Sequence, residues 1–221
     1  MSELKDMGTS QNVKVYKRHG AGDNLFGVSF ANLGKLKKAI KVDHELAGEL
    51  WHTGNTDARC LATMIIDSKK FSSSQADKWI DDVEYYLLAD LLAQVIAQTD
   101  FALKKMDDWM KSKDEFKKQC GYAILSCCLK DGVEIPDSKC KKILKTIEKE
   151  IHASPNRAKH SMNMALISIG IYKASLTDST MEFAEQIGKV KVDHGETGCK
   201  TPDAIPYILK SIKRHSTKRK N

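Results

Sequence analysis

ANLGKLKKAIKVDHELAGELWHTGN, residues 31–55, decides the fold class. Its apolar residues recur at helical spacing, so it reads as two helices, about Ala31 to Lys41 and Asp43 to His52, with almost no chain between them. The Asp43 side chain can accept one of the first free backbone amides of the second helix. Glu45 and Glu49 suit the positive half of that helix's dipole. Gly54 stops it, and Asn55 or Thr56 starts the next helix, through Arg59 to Ile66. Helix, short turn, helix is a unit that must stack on its neighbours to bury a continuous core.

The same rhythm extends both ways. Upstream, one helix is expected over Glu3 to Arg18, ended by His19-Gly20-Ala21-Gly22 and followed by a loop through Phe26-Gly27-Val28. Downstream, Ser72-Ser73-Ser74 caps a helix through Trp79. Further helices fall around Glu84–Gln98, Phe101–Met110 and Lys113–Leu129, and Pro136 opens one through Glu150. Ser154-Pro155 pairs a capping hydroxyl with a proline where no amide hydrogen is needed, and starts a helix to about Lys173. Helices over about Asp178 to Ile187 and Asp203 to Lys213 complete the set. Strict alternation is rare, so no sheet is expected. The reading is all-α: an α-solenoid of HEAT-like helical repeats of about 35–45 residues. It forms a single domain over residues 1–210, with residues 211–221 as a basic, flexible C-terminal tail. There is no strong internal sequence repeat, and a compact helical bundle is the alternative. A solenoid curves, and its concave basic face would be a long binding groove.

Composition narrows the function classes. The chain has 221 residues, 41% hydrophobic and 29% charged, enough for a core without disulfides. No apolar run approaches the ~20 residues of a membrane span. Met1-Ser2-Glu3-Leu4-Lys5 has no secretory h-region. The expected location is therefore cytoplasmic, nucleoid-associated in a bacterium or nuclear in a eukaryote, with no membrane partner. Cys60, Cys120, Cys127, Cys128, Cys140 and Cys199 form no CxxC pair and read as free thiols, mostly buried. The net charge of +7 favours polyanions. No acidic residue follows Asp203, whereas Lys210, Lys213, Arg214, Lys218, Arg219 and Lys220 crowd the end. That end could touch a nucleic-acid backbone or simply be solvated.

Several constellations could carry chemistry. Gly20-Ala21-Gly22-Asp23-Asn24-Leu25-Phe26-Gly27 looks glycine-rich, but a helix precedes it and no Lys-Ser/Thr follows, so it reads as a tight connection with Phe26 packed into the core. Asp193, His194, Glu196 and Cys199 have suitable ligand types but match no standard zinc spacing, so no metal and no cofactor is expected. His194 or Lys200 could instead contact a phosphate. Tyr86 and Asp90, four apart on a helix, share one face, where a carboxylate beside a ring could stabilise a developing cation or merely pack and pair with a lysine. Asn156, His160 and Asn163 share a face beside Arg157 and Lys159, near a helix N-terminus. That arrangement suits phosphate or a solvated polar surface. Trp51, Trp79 and Trp109 read as core packing or surface anchors.

Five segments together resemble the DNA alkylation repair family of HEAT-like repeat proteins. They are Arg18 through Val28; His44-Glu45-Leu46-Ala47 with Leu50 through Asn55; Asp57 through Ala62; Asn156-Arg157 through Gly170; and Ile187 through Asp203. The resemblance runs from about residue 13 to 210. It implies an α-solenoid cradling duplex DNA, in a family whose active members are DNA glycosylases that release cationic alkylpurines such as 3-methyladenine and 7-methylguanine. In that family tryptophans and an aspartate surround the lesion's deoxyribose and stabilise an oxocarbenium-like sugar. Carried onto this chain, the aspartate falls on Asp90 and the first cleft tryptophan on Tyr86. The second falls near Met164, where there is no ring, and the cleft arginine falls near Lys117 or Lys118. The resemblance thus implies a binder of damaged or distorted double-stranded DNA, and a solenoid of this length is expected to be a monomer. Asp90 and Tyr86 would be its catalytic candidates and Lys117 and Lys118 its cleft cations, and with Arg157, Lys159, His160, Asn163, His194 and Lys200 from the residue patterns above these lysines are the expected DNA contacts. The alternative is a HEAT-like scaffold for structured DNA, RNA or protein, with no chemistry.

Overall fold

The computed structural model describes residues 1–218, all helix and connection. Among them are thirteen α-helices, two short 3-10 turns and one isolated bridge, Gly8 to Val28, but no strand. None of these helices is long and apolar enough to cross a membrane. The chain divides into two compact units: residues 1–105 with 194–198, and residues 106–193 with the chain from Cys199 onward.

Unit 1 contains α1 (Ser2–Asp6), α2 (Ser10–Arg18), α3 (Phe30–Ile40), α4 (His44–His52), α5 (Thr56–Ile65), α6 (Ser73–Asp81) and α7 (Tyr86–Ile96). The boundary between the units falls within α8 (Ala102–Trp109). Local capping explains most starts: Thr9, Ser29, Asp43, Asn55 and Ser72 each accept the amide three residues on. Asn55 rather than Thr56 is thus the cap of α5. The core centres on Trp51 and Trp79, stacked with ring centroids 3.9 Å apart. Trp51 Nε1 donates to Asp82 at 2.8 Å, and the Arg59 guanidinium lies over the Trp51 ring. These tryptophans and Trp109 are buried.

The single N-terminal helix expected over Glu3–Arg18 is two helices, broken at Met7-Gly8-Thr9. The cause is the approach of the 26–28 loop. A Cβ at Gly8 would run into the Phe26 carbonyl, and one at Gly27, where φ is +77°, would meet Thr9 O at 2.5 Å. The Thr9 amide donates to Gly27 O at 3.1 Å. Phe26 is only half-buried, and Val28 is the loop's core residue instead.

Unit 2 contains α9 (Glu115–Lys130), α10 (Asp137–Glu150), α11 (Asn156–Tyr172), α12 (Thr177–Ile187) and α13 (Ala204–Lys218). Helices α9, α11 and α13 pack side by side, while α10 and α12 pack on each other and on α11. Glu115 contacts Arg157 and Gln119 contacts Ser161, both 42 residues apart, so α9 and α11 run parallel at a 42-residue repeat. That repeat matches the expected length. In unit 1 the starts of α3, α5 and α7, at residues 30, 56 and 86, lie closer together.

Two expectations change in unit 2. Ser154 does not cap α11, because its hydroxyl donates back to Glu150 O at 3.0 Å. The Arg157 amide finds Glu115 Oε1 at 2.6 Å instead. Helix α13 does not stop at Lys213 but runs to Lys218. No glycine or proline follows Pro206, and Ile208 and Ser211 keep its inner side buried. Of the basic end, residues 211–218 are therefore helical, and Arg219 and Lys220 lie outside the described residues. None of the six cysteines, all among the described residues, forms a disulfide. Cys60, Cys120, Cys128 and Cys140 are buried, and Cys199 is exposed. Burial pushes the Cys60 thiol up to about 12 and the Cys128 thiol up to about 11.

Candidate nucleic-acid interface

In unit 1 the site residues sit at the start of α7. Tyr86 is its first residue and Asp90 follows one turn later, both half-buried. The Tyr86 hydroxyl shares a 2.8 Å hydrogen bond with His19 Nδ1, brought from the end of α2. The intervening loop is fixed by a residue to which the sequence reading assigned no role. The Asp57 carboxylate, 2% exposed, accepts the amides of Phe26, Gly27 and Val28 at 2.6, 3.0 and 2.9 Å. Asp57 lies in the first turn of α5, where the helix dipole favours a negative charge. Asn24 adds a side-chain bond from Asn55 at 3.1 Å, and its carbonyl accepts the Thr56 amide at 2.9 Å. A signal existed in the sequence: an acidic residue just inside a capped, apolar helix start, about one repeat downstream of a glycine-bearing loop.

In unit 2 the N-terminal turns of α9 and α11 lie side by side, as the Glu115–Arg157 bond shows. These turns carry Lys117, Arg157, Lys159 and His160, all half-buried. Two other candidates turn inward. Lys118 is 9% exposed, with its Nζ 2.9 Å from Glu150 Oε2. Asn163 is 2% exposed and donates to Pro202 O at 3.0 Å. Asn156 makes two bonds to the Asp193 backbone, donating to its carbonyl at 2.6 Å and accepting its amide at 2.8 Å. The Asn156–Asn163 face therefore holds the 189–203 segment at two points. His194 is half-buried and counts with unit 1, whereas Lys200 is exposed in unit 2. Met164, on α11, is half-buried. Among the described residues no group of three or more His, Cys, Asp and Glu side chains is placed to hold a metal ion.

Charge is divided unevenly. Unit 2 carries 22 Lys and Arg against 14 Asp and Glu, and unit 1 carries 14 against 15, so the whole positive excess lies in unit 2. Helical repeats with a net positive unit and basic residues on the first turns of adjacent helices are a class suited to polyanions.

The sequence profile of the DNA alkylation repair enzyme family matches residues 1–208, and the chain belongs to that family. It is 31% identical to an uncharacterised protein of Listeria innocua over 219 residues, covering 96% of each chain. A second uncharacterised protein, from Listeria monocytogenes, is similar at the same identity and coverage. Among solved structures, the chain is similar to one from a new family of proteins related to the HEAT-like repeat DNA glycosylases, with affinity for branched DNA structures. The TM-score is 0.88 at 32% identity, covering 97% of this chain and 93% of that one. The all-α, HEAT-like reading of the sequence is the fold observed.

Proposed function

We propose that this protein binds branched DNA by gripping its sugar–phosphate backbone, without excising a base. The observation that carries this reading is the likeness, over 97% of the chain, to a solved protein that itself has affinity for branched DNA. The charge distribution supports it. Backbone contacts fix a protein on DNA without reading bases, so they suit recognition of a shape. Lys117, Arg157, Lys159 and His160 would supply those contacts from the adjacent helix starts, with Lys200 inside the pinned 189–203 segment.

Excision of 3-methyladenine or 7-methylguanine has less support. Ring faces around the sugar would have to come from Tyr86, whose hydroxyl is held by His19, and from the position of Met164, which has no ring. Lys118, one of two positions for the cleft cation, is paired with Glu150. The direct test is fluorescence anisotropy of a labelled four-way junction, competed by linear duplex of the same base composition. The junction should bind at least about ten-fold more tightly, a difference of about 1.4 kcal/mol. Equal competition by the linear duplex would overturn the preference for branches.

One observation favours a second reading: Asp90 stands one turn from Tyr86 on α7. In a glycosylase Asp90 would stabilise the cationic sugar and position water, with Tyr86 as one wall of the cleft. Release of free 7-methylguanine from methylated duplex DNA, lost in Asp90→Asn, would carry that reading. No release leaves the binding role alone.

A further inference from the structure

We propose that unit 2 carries a second binding site, for a small organic anion with an apolar body, in the cavity between α10 and the end of α8. The cavity measures about 620 Å³, within the range of small-molecule sites. It lies on the α10 layer, whereas the candidate phosphate contacts lie on the N-terminal turns of α9 and α11. It is therefore separate from the proposed DNA-binding residues.

Three features set the ligand's chemistry. The first is the wall: Met110, Pro136 and Ile143 offer an apolar surface to a flat or branched body. The second is charge. Both carboxylates of the lining are already matched, Asp107 by Lys139 at 2.6 Å and Glu150 by Lys118 at 2.9 Å. Among the described residues neither Lys111 nor Lys142, both exposed and both lining the cavity, has a carboxylate partner. Two uncompensated ammonium groups at the rim select an anion. The third is Tyr122, which reaches the lining from α9. Its ring is fully buried, and its hydroxyl has no hydrogen-bond partner. A buried hydroxyl without a partner is unusual in a folded protein. Burial, and to a lesser extent the Glu150 carboxylate, keep this phenol protonated, so it remains a donor. A ligand with its body on the apolar wall, and with the oxygens of its acidic head shared between the Tyr122 hydroxyl and the ammonium groups of Lys111 and Lys142, would supply the missing partner.

The test uses the full chain and 8-anilinonaphthalene-1-sulfonate, which joins an aromatic body to one sulfonate. Calorimetric titration should show one saturable site per chain. Lys142→Ala and Tyr122→Phe should each weaken it about five-fold or more. Ser138→Trp, which puts a large ring into the lining from an exposed position, should abolish it. Tyr122→Phe removes a hydroxyl that satisfies nothing within the protein, so its melting temperature should stay level or rise while binding falls. A purely structural role would not produce that split. 1-Naphthol, with a neutral head, should not compete. Absence of a saturable site, binding unchanged in all three variants, or equal competition by 1-naphthol would overturn the proposal.

Discussion

The Asp57 carboxylate accepts three successive loop amides inside the protein, so Asp57→Ala would leave three donors without an acceptor. At about 1–3 kcal/mol for each orphaned buried donor, the variant should lose about 3 kcal/mol or more in urea unfolding. A loss below about 1 kcal/mol would mean that the 26–28 loop reaches water when the carboxylate is removed. Because that loop joins α2 to α3, the same variant should loosen His19 from Tyr86. The pairing of Tyr86 with Asp90 was legible, since it needs only the four-residue helical repeat. The His19 contact was not, since it joins residues 67 apart and depends on how the loop is held. Cysteine reactivity is also a residue-level matter. Cys60 and Cys128 are buried with thiols held well above neutral pH, and Cys199 is exposed. A thiol reagent at pH 8 should therefore modify Cys199 first, and Cys199→Ser should remove the fastest phase. An unchanged fast phase in that variant would contradict this placement of the cysteines.

Helix α10 begins with Asp137, which accepts a hydrogen bond from Ser175 and pairs with Lys173 at 3.1 Å. The Ser175 bond first, and Lys173 after it, hold the Asp137 carboxyl below its ordinary value. A depressed carboxyl stabilises the fold above the unfolded-state pKa, about 3.9, and loses that contribution as pH falls toward its lower folded value. Asp137→Asn should thus be less stable than the parent at pH 6, with the gap closing below about pH 4. A gap independent of pH would assign the effect to packing alone. Helix α11 offers a different test. Asn156 and Asn163 hold the 189–203 segment through its backbone, so replacing both with alanine should speed proteolysis within that segment while the helical circular dichroism is retained. Cleavage at the parent rate would show that other contacts suffice. Helix starts with Ser, Thr, Asp or Asn were legible because capping is local. The break at Gly8 and the backward turn of Ser154 were not, because each is decided by a carbonyl or carboxylate from another element.

At the scale of the whole molecule, the helical class and a helix-pair rhythm of about 35–45 residues were readable from periodicity, since apolar spacing encodes the buried side of every helix, whereas the 42-residue offset of α9 and α11 needed their contacts. The division into two units, and the confinement of the positive excess to one of them, were not readable until the packing assigned each segment. Of the candidate site, the cations at the start of α11 were recognisable as helix N-terminal residues, and Lys117 came only from the family resemblance. The inward turns of Lys118 and Asn163 were not, because their partners Glu150 and Pro202 lie 32 and 39 residues away. The central claim is that Lys117, Arg157 and Lys159 grip phosphates of branched DNA from these two helix starts. The measurement that tests it most directly is the salt dependence of four-way-junction binding for the parent and for the triple alanine variant, both checked for unchanged helical content. The account predicts a log–log slope smaller by about 3 in the variant, about one unit for each cation removed, together with weaker binding at every salt concentration. An unchanged slope and affinity would contradict it.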